Sequence, residues 1–200
     1  MNDEKLITSL YNKGIYLPVP NVKPVQNDIT GRLVELEEDY YGCFYGIHIF
    51  IEKGFVYDGG SKPEFSWGLI GSAHTGYDKI PCFIHDVLYG CMGQGKPLTI
   101  KTLKHFDINH SPCPPWVHDN FYNLDFFSGK LTDTRFKRNE ADWKWLELMD
   151  DFSVCWSKRN AMYSMVRTFG NSAWHDSTMV DIEKDRKLIT ITKEFNTAIK

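Results

Sequence analysis

The spacing of apolar and polar positions changes along the chain, and each change marks an element. Residues 32–38 alternate, Leu33 and Glu35 against Val34 and Leu36, which predicts a strand. Residues 40–52 are rich in aromatic and β-branched side chains, and Ile47 to Glu52 alternates with period two, predicting further strand. From Lys53 a short strand runs into a tight turn at Asp58-Gly59-Gly60, where Asp-Gly-Gly favours positive φ, and Pro63 ends the segment. The period then becomes helical. Residues 78–90 read as a short apolar helix with Asp78 as cap, Pro81 tolerated in the first turn and Gly90 at the end. A second helix opens at Asn139, with Ala141, Trp145, Leu148 and Phe152 in one apolar stripe. A third covers residues 157–169, with Met162, Met165, Val166 and Phe169 inward and Gly170 closing it. Residues 187–192 alternate again and predict an edge strand.

These elements predict an α+β fold: a small antiparallel sheet packed against about three helices. Pro18, Pro20 and Pro24 interrupt residues 1–30, which read as an N-terminal arm, disordered or docked onto a neighbour. Residues 31–175 form one domain and 176–200 a tail. Residues 91–138 form a long polar, aromatic and proline-containing insertion with His105, His110 and the pair His118-Asp119. A connection of that length is often functional or partner-binding.

The formal net charge of −3 gives no electrostatic case for nucleic acid. Aromatic residues make up 14% of the chain, which suits either a large aromatic core or a contact surface. The five cysteines are odd in number and form no C-x-x-C, which argues against a zinc knuckle and for reduced thiols in a cytoplasmic product. The polar, acidic start shows no signal peptide, and no apolar run approaches the roughly 20 residues of a membrane span.

The candidate chemistry lies on the 78–90 helix. His85-Asp86 is an ionisable pair flanked by Phe83, Ile84, Val87 and Leu88, and burying two polar groups there is costly unless they are paired or put to use. Neighbouring helical residues point about 100° apart, so the two cannot serve one partner along one direction. His85 shares a face with Tyr89, one turn on. Asp58 is either a turn-former bonded to its own backbone or an acid at a sheet edge facing a site. Asp142 is either an ordinary first-turn acid behind an Asn139 cap or a partner for His85. His48 reads as exposed or hydrogen-bonded rather than as a ligand, and His118-Asp119 as a solvated loop pair.

Four ordered motifs carry a resemblance: Gly54-Phe55-Val56-Tyr57-Asp58-Gly59-Gly60-Ser61-Lys62-Pro63, then His85-Asp86-Val87-Leu88-Tyr89, then Ala141-Asp142, then Val166-Arg167-Thr168-Phe169-Gly170. Over residues 45–175 the chain resembles a phage-encoded family of domains of unknown function. Tyr57 stands where that family has Thr, and the 91–138 connection is longer than the family's. His-Asp-x-x-Tyr followed by Ala-Asp on a second helix is also similar to the site of phospholipase A-two enzymes, particularly the viral capsid-borne kind. That resemblance implies His85 as general base, Asp142 as the carboxylate orienting it, and Asp86 as a ligand to calcium or another divalent cation. Asp58-Gly59-Gly60 is the candidate to supply further oxygens near Asp86, and Ser61 and Tyr89 are further candidate site residues. The secreted enzymes' paired cysteines are absent from this chain.

Three functions follow as expectations. The first is a phage-encoded, metal-assisted hydrolase of lipid or other esters, with Asp58, His85, Asp86 and Asp142 converging in one pocket. The second is a non-catalytic virion protein whose polar residues form a buried network, with the arm and residues 91–138 binding other virion proteins. The third is a small host-takeover binder. The corresponding locations are the virion or the host cytoplasm.

Overall fold

The computed structural model describes residues 3–29, 33–58, 79–93, 132–133, 136–175 and 187–193. Through these the chain runs as α1 (Asp3–Asn12), β1 (Val22–Pro24), β2 (Val34–Leu36), β3 (Tyr40–Phe44), β4 (Ile47–Ile51), β5 (Val56–Tyr57), α2 (Lys79–Gly90), β6 (Thr132–Asp133), α3 (Arg138–Asp151), α4 (Trp156–His175) and β7 (Ile189–Lys193). The fold is α+β. Its strands form two antiparallel sheets, one in the order β1-β2-β5 and one in the order β3-β4-β7-β6.

The larger sheet is built on the β3–β4 hairpin, whose pairing runs from Tyr40↔Ile51 to Phe44↔Ile47. Its two-residue turn, Tyr45 and Gly46, takes φ of 51° and 68°, the positive pair that matches strand twist in a tight hairpin. Every residue of both strands is buried, so both faces of the sheet are covered despite the alternation of residues 47–52. His48 is buried with the rest, and its Nδ1 lies 2.9 Å from the Tyr41 hydroxyl. The tail does form a strand, but β7 lies between β4 and β6 and is interior rather than an edge.

Two helix boundaries and the N-terminal arm differ from the sequence reading. Lys137, not Asn139, is the N-cap of α3, and Glu140 accepts the Lys137 backbone N–H at 2.8 Å. Helix α4 continues through Gly170 to His175, which leaves Phe169 exposed. A mid-helix glycine costs only about 1 kcal/mol, less than packing can return. The N-terminal residues are part of the core: Leu6, Leu10, Ile15, Tyr16 and Leu17 are all buried. Tyr16 and Cys43 exchange two backbone hydrogen bonds of 2.7 Å. Pro18 and Pro20 follow this helix and lead the chain toward β1, and Pro24 is the last residue of that strand.

Behind the sheets, α2 packs against α3, α4 and β5, and α3 against α4. The stripe Ala141, Trp145, Leu148 and Phe152 is fully or almost fully buried, as its spacing predicted. Asp78, residues 59–63 and nearly all of the 91–138 insertion, including His105, His110 and His118-Asp119, lie outside the described residues. Among the described residues no helix is long and apolar enough to cross a membrane.

Candidate functional site

Helix α2 is buried from Pro81 to Gly90. A helix enclosed on all sides must bury whatever polar side chains it carries, and α2 buries His85 completely and Asp86 to 7% exposure. The imidazole lies 4.2 Å from the Tyr89 ring and 4.4 Å from that of Trp145, centroid to centroid. Tyr89 is one turn along α2, and Trp145 comes from the apolar stripe of α3. Two aromatic walls restrict the plane of the ring.

Asp142, in the second turn of α3, is 0% exposed and turned inward rather than toward the helix N-terminus. Its Oδ1 lies 3.2 Å from His85 Nε2 and accepts the Tyr89 hydroxyl at 2.6 Å. Its Oδ2 accepts Arg167 Nη1 from α4 at 2.8 Å. The first-turn electrostatic role belongs instead to Glu140. Asp142 is the residue on which α2, α3 and α4 converge.

The opposite nitrogen of His85 faces its sequence neighbour. Nδ1 lies 3.9 Å from Asp86 Oδ1, too far for a hydrogen bond. Nδ1 and both Asp86 oxygens are buried and have no hydrogen-bond partner among the described residues. Among the described residues His85 is thus held through Nε2 by Asp142 alone, and Asp86, offset from it along the helix, does not share that partner.

These contacts set the charges. Burial disfavours the imidazolium, but the hydrogen bond to Asp142 and the Asp86 carboxylate more than offset it, and His85 is raised above its ordinary 6.5. Burial likewise opposes ionisation of Asp142, yet the donors His85, Tyr89 and Arg167 prevail and hold it below its ordinary 3.8. Burial, reinforced by the bond to Asp142, pushes the Tyr89 phenol well up, so it remains a donor. Burial and the nearby Asp86 charge also raise Tyr57, at the end of β5.

His85, Asp86, Tyr89 and Asp142 thus form one cluster. Asp58 follows β5 directly, is half-buried and has interaction partners of its own. Gly59, Gly60 and Ser61 lie outside the described residues. Among the described residues no group of three or more His, Cys, Asp or Glu side chains is arranged to hold a metal ion. The buried Asp86 carboxylate suits a hard cation as one ligand, but such an ion takes six or more oxygens. Sequence reasoning missed two participants. Trp145 was visible only as a core position, and Arg167 only as part of a motif on the third helix.

A family model described as Protein of unknown function (DUF1353) matches residues 35–166. No curated protein and no solved structure matches the chain.

Proposed function

Since the chain belongs to the DUF1353 family, whose function is unknown, we propose from the site that it is a metal-assisted hydrolase of lipid or other esters, with His85 as general base. The observation that carries this reading is the asymmetry of the imidazole. Nε2 meets Asp142 at 3.2 Å, whereas Nδ1 has no hydrogen-bond partner among the described residues. Asp142 fixes the ring and stabilises the imidazolium once a proton has been taken. Because His85 is fully buried, the reaction needs the cluster to open to water and ester. Nδ1 then accepts a proton from water, the resulting hydroxide adds to the ester carbonyl carbon, and the imidazolium protonates the departing alkoxide. Asp86 is the residue of this cluster that would hold a divalent cation, which when bound would polarise the ester carbonyl. The likeness of His-Asp-x-x-Tyr and Ala-Asp to the phospholipase A-two site supports the same assignment.

A second reading is favoured by the complete burial of His85 and Asp142. In it the cluster is a structural network locking three helices together, in a non-catalytic virion or accessory protein. Such a network ordinarily satisfies its buried polar atoms. Among the described residues His85 Nδ1 and both Asp86 oxygens have no hydrogen-bond partner, which weighs against it.

Hydrolysis of a mixed panel of phospholipids and simple esters, with calcium and with chelator, separates the two. The hydrolase reading expects turnover that is lost both in His85→Ala and on chelation. Silence across the panel, with His85→Ala lowering the melting temperature, would leave the structural network.

A further inference from the structure

The motif Val166-Arg167-Thr168-Phe169-Gly170 has no part in the chemistry just described, and Phe169 is exposed. Arg167 nevertheless reaches the centre of the cluster. Its side chain is 36% exposed at one end, while Nη1 lies 2.8 Å from Oδ2 of the fully buried Asp142. We infer that Arg167 is a positioning residue for the His85–Asp142 pair: by occupying Oδ2 it confines His85 and Tyr89 to Oδ1 and thereby fixes the imidazole with Nδ1 toward Asp86.

The geometry supports this step by step. A carboxylate has two oxygens and a torsion that exchanges them, so donors on one oxygen alone leave its orientation open. Here the donors come from two directions, His85 and Tyr89 from α2 and Arg167 from α4. The arginine is itself anchored through its backbone, since the Arg167 carbonyl accepts Arg138 Nη2 of α3 at 3.4 Å. A methionine or leucine at position 167 would pack on the helix without holding Oδ2. A lysine would supply the charge as a single point, without the planar fork.

The catalytic consequence rests on the hydrolase reading, but the positioning itself can be read without turnover. Arg167→Gln and Arg167→Lys are compared with the native chain by steady-state ester hydrolysis and by nuclear magnetic resonance of the His85 ring Nε2–H. Arg167 is partly exposed, so neither substitution opens a large cavity. The expected result for Arg167→Gln is a kcat lowered by about a hundredfold, the scale of a misplaced catalytic group, with KM unchanged. Its Nε2–H resonance moves upfield and exchanges faster with solvent. Arg167→Lys recovers part of both. A native kcat and native resonance in Arg167→Gln would overturn the inference, as would loss of fold in both variants, which would make Arg167 a determinant of stability alone. If the native protein is itself inactive, the hydrolase reading fails, and the ring-proton resonance still decides whether Arg167 orients the pair.

Discussion

Asp142 carries a negative charge with no exposure to water, and three donors make that tolerable. Removing the charge should therefore cost more than one hydrogen bond. Asp142→Asn leaves the Arg167 guanidinium and the His85 ring facing an amide, and breaking a buried pair from one side costs on the order of 3 to 5 kcal/mol. The shifts of the two partners also give the loss a pH signature. Asp142 is held below 3.8, so its contribution is complete above that value and disappears as pH falls through the depressed pKa. His85 is held above 6.5, so its contribution is complete below that value and is lost as pH rises through the raised pKa. Native stability from this pair is therefore greatest between those two values. Thermal unfolding followed by circular dichroism from within that range to well above 6.5 should show a decline on the alkaline side of 6.5 that shrinks in Asp142→Asn. Parallel curves for the two proteins would mean that the pair is uncoupled from folding.

Among the helices, α4 reports most clearly on how closely the elements fit. A Cβ on Gly170 would lie 2.9 Å from the Tyr89 hydroxyl and 3.3 Å from Val166 Cγ1. In an open helix, alanine in place of glycine would gain about 1 kcal/mol. Here the crowded hydroxyl is the one that Asp142 accepts at 2.6 Å, so it cannot retreat without breaking that bond. Gly170→Ala should be destabilising by about 1 to 3 kcal/mol, as overpacking usually is. A stabilised variant in urea unfolding would show that α4 can slide along α2. The same helix marks where the sequence was readable and where it was not. The inward positions Met162 and Val166 followed from spacing because burial there is one-sided. The end of the helix did not, because a glycine's small local penalty was outweighed by a packing contact with a residue far away in sequence. The pair Asp142 and Arg167 was equally hidden. Their meeting depends on how α3 and α4 cross, and no local period encodes a crossing. His85, by contrast, was conspicuous: an ionisable residue on an apolar helix demands a partner wherever the helix is placed.

At the scale of the molecule, the N-terminal residues show how a local signal can mislead about assembly. Prolines at 18, 20 and 24 argued for an arm reaching outward, yet the segment before them closes the chain's own sheet. Tyr16 bonds both backbone groups of Cys43, covering the side of β3 that β4 leaves open. Leu17 fills the space above Gly42, where a Cβ would come within 2.7 Å of its Cδ2. Lys13 pairs with Asp151 at the end of α3, but the lysine is half-exposed and such a pair contributes little. The apolar contacts must dominate. Leu6, Leu10, Ile15 and Leu17 are each buried, and each such side chain contributes about 1.5 to 3 kcal/mol, an upper estimate, against a domain's net margin of about 5 to 15. Leu10→Ala should lower stability by about 2 to 5 kcal/mol. Deleting residues 1–17 should abolish cooperative thermal unfolding and, by uncovering the β3 edge, drive the protein into aggregates detectable by light scattering. An arm whose role was to reach a neighbouring molecule would behave differently, since its deletion would leave the melting transition where it was. An unchanged melting temperature after that deletion would therefore return these residues to the role their prolines first suggested.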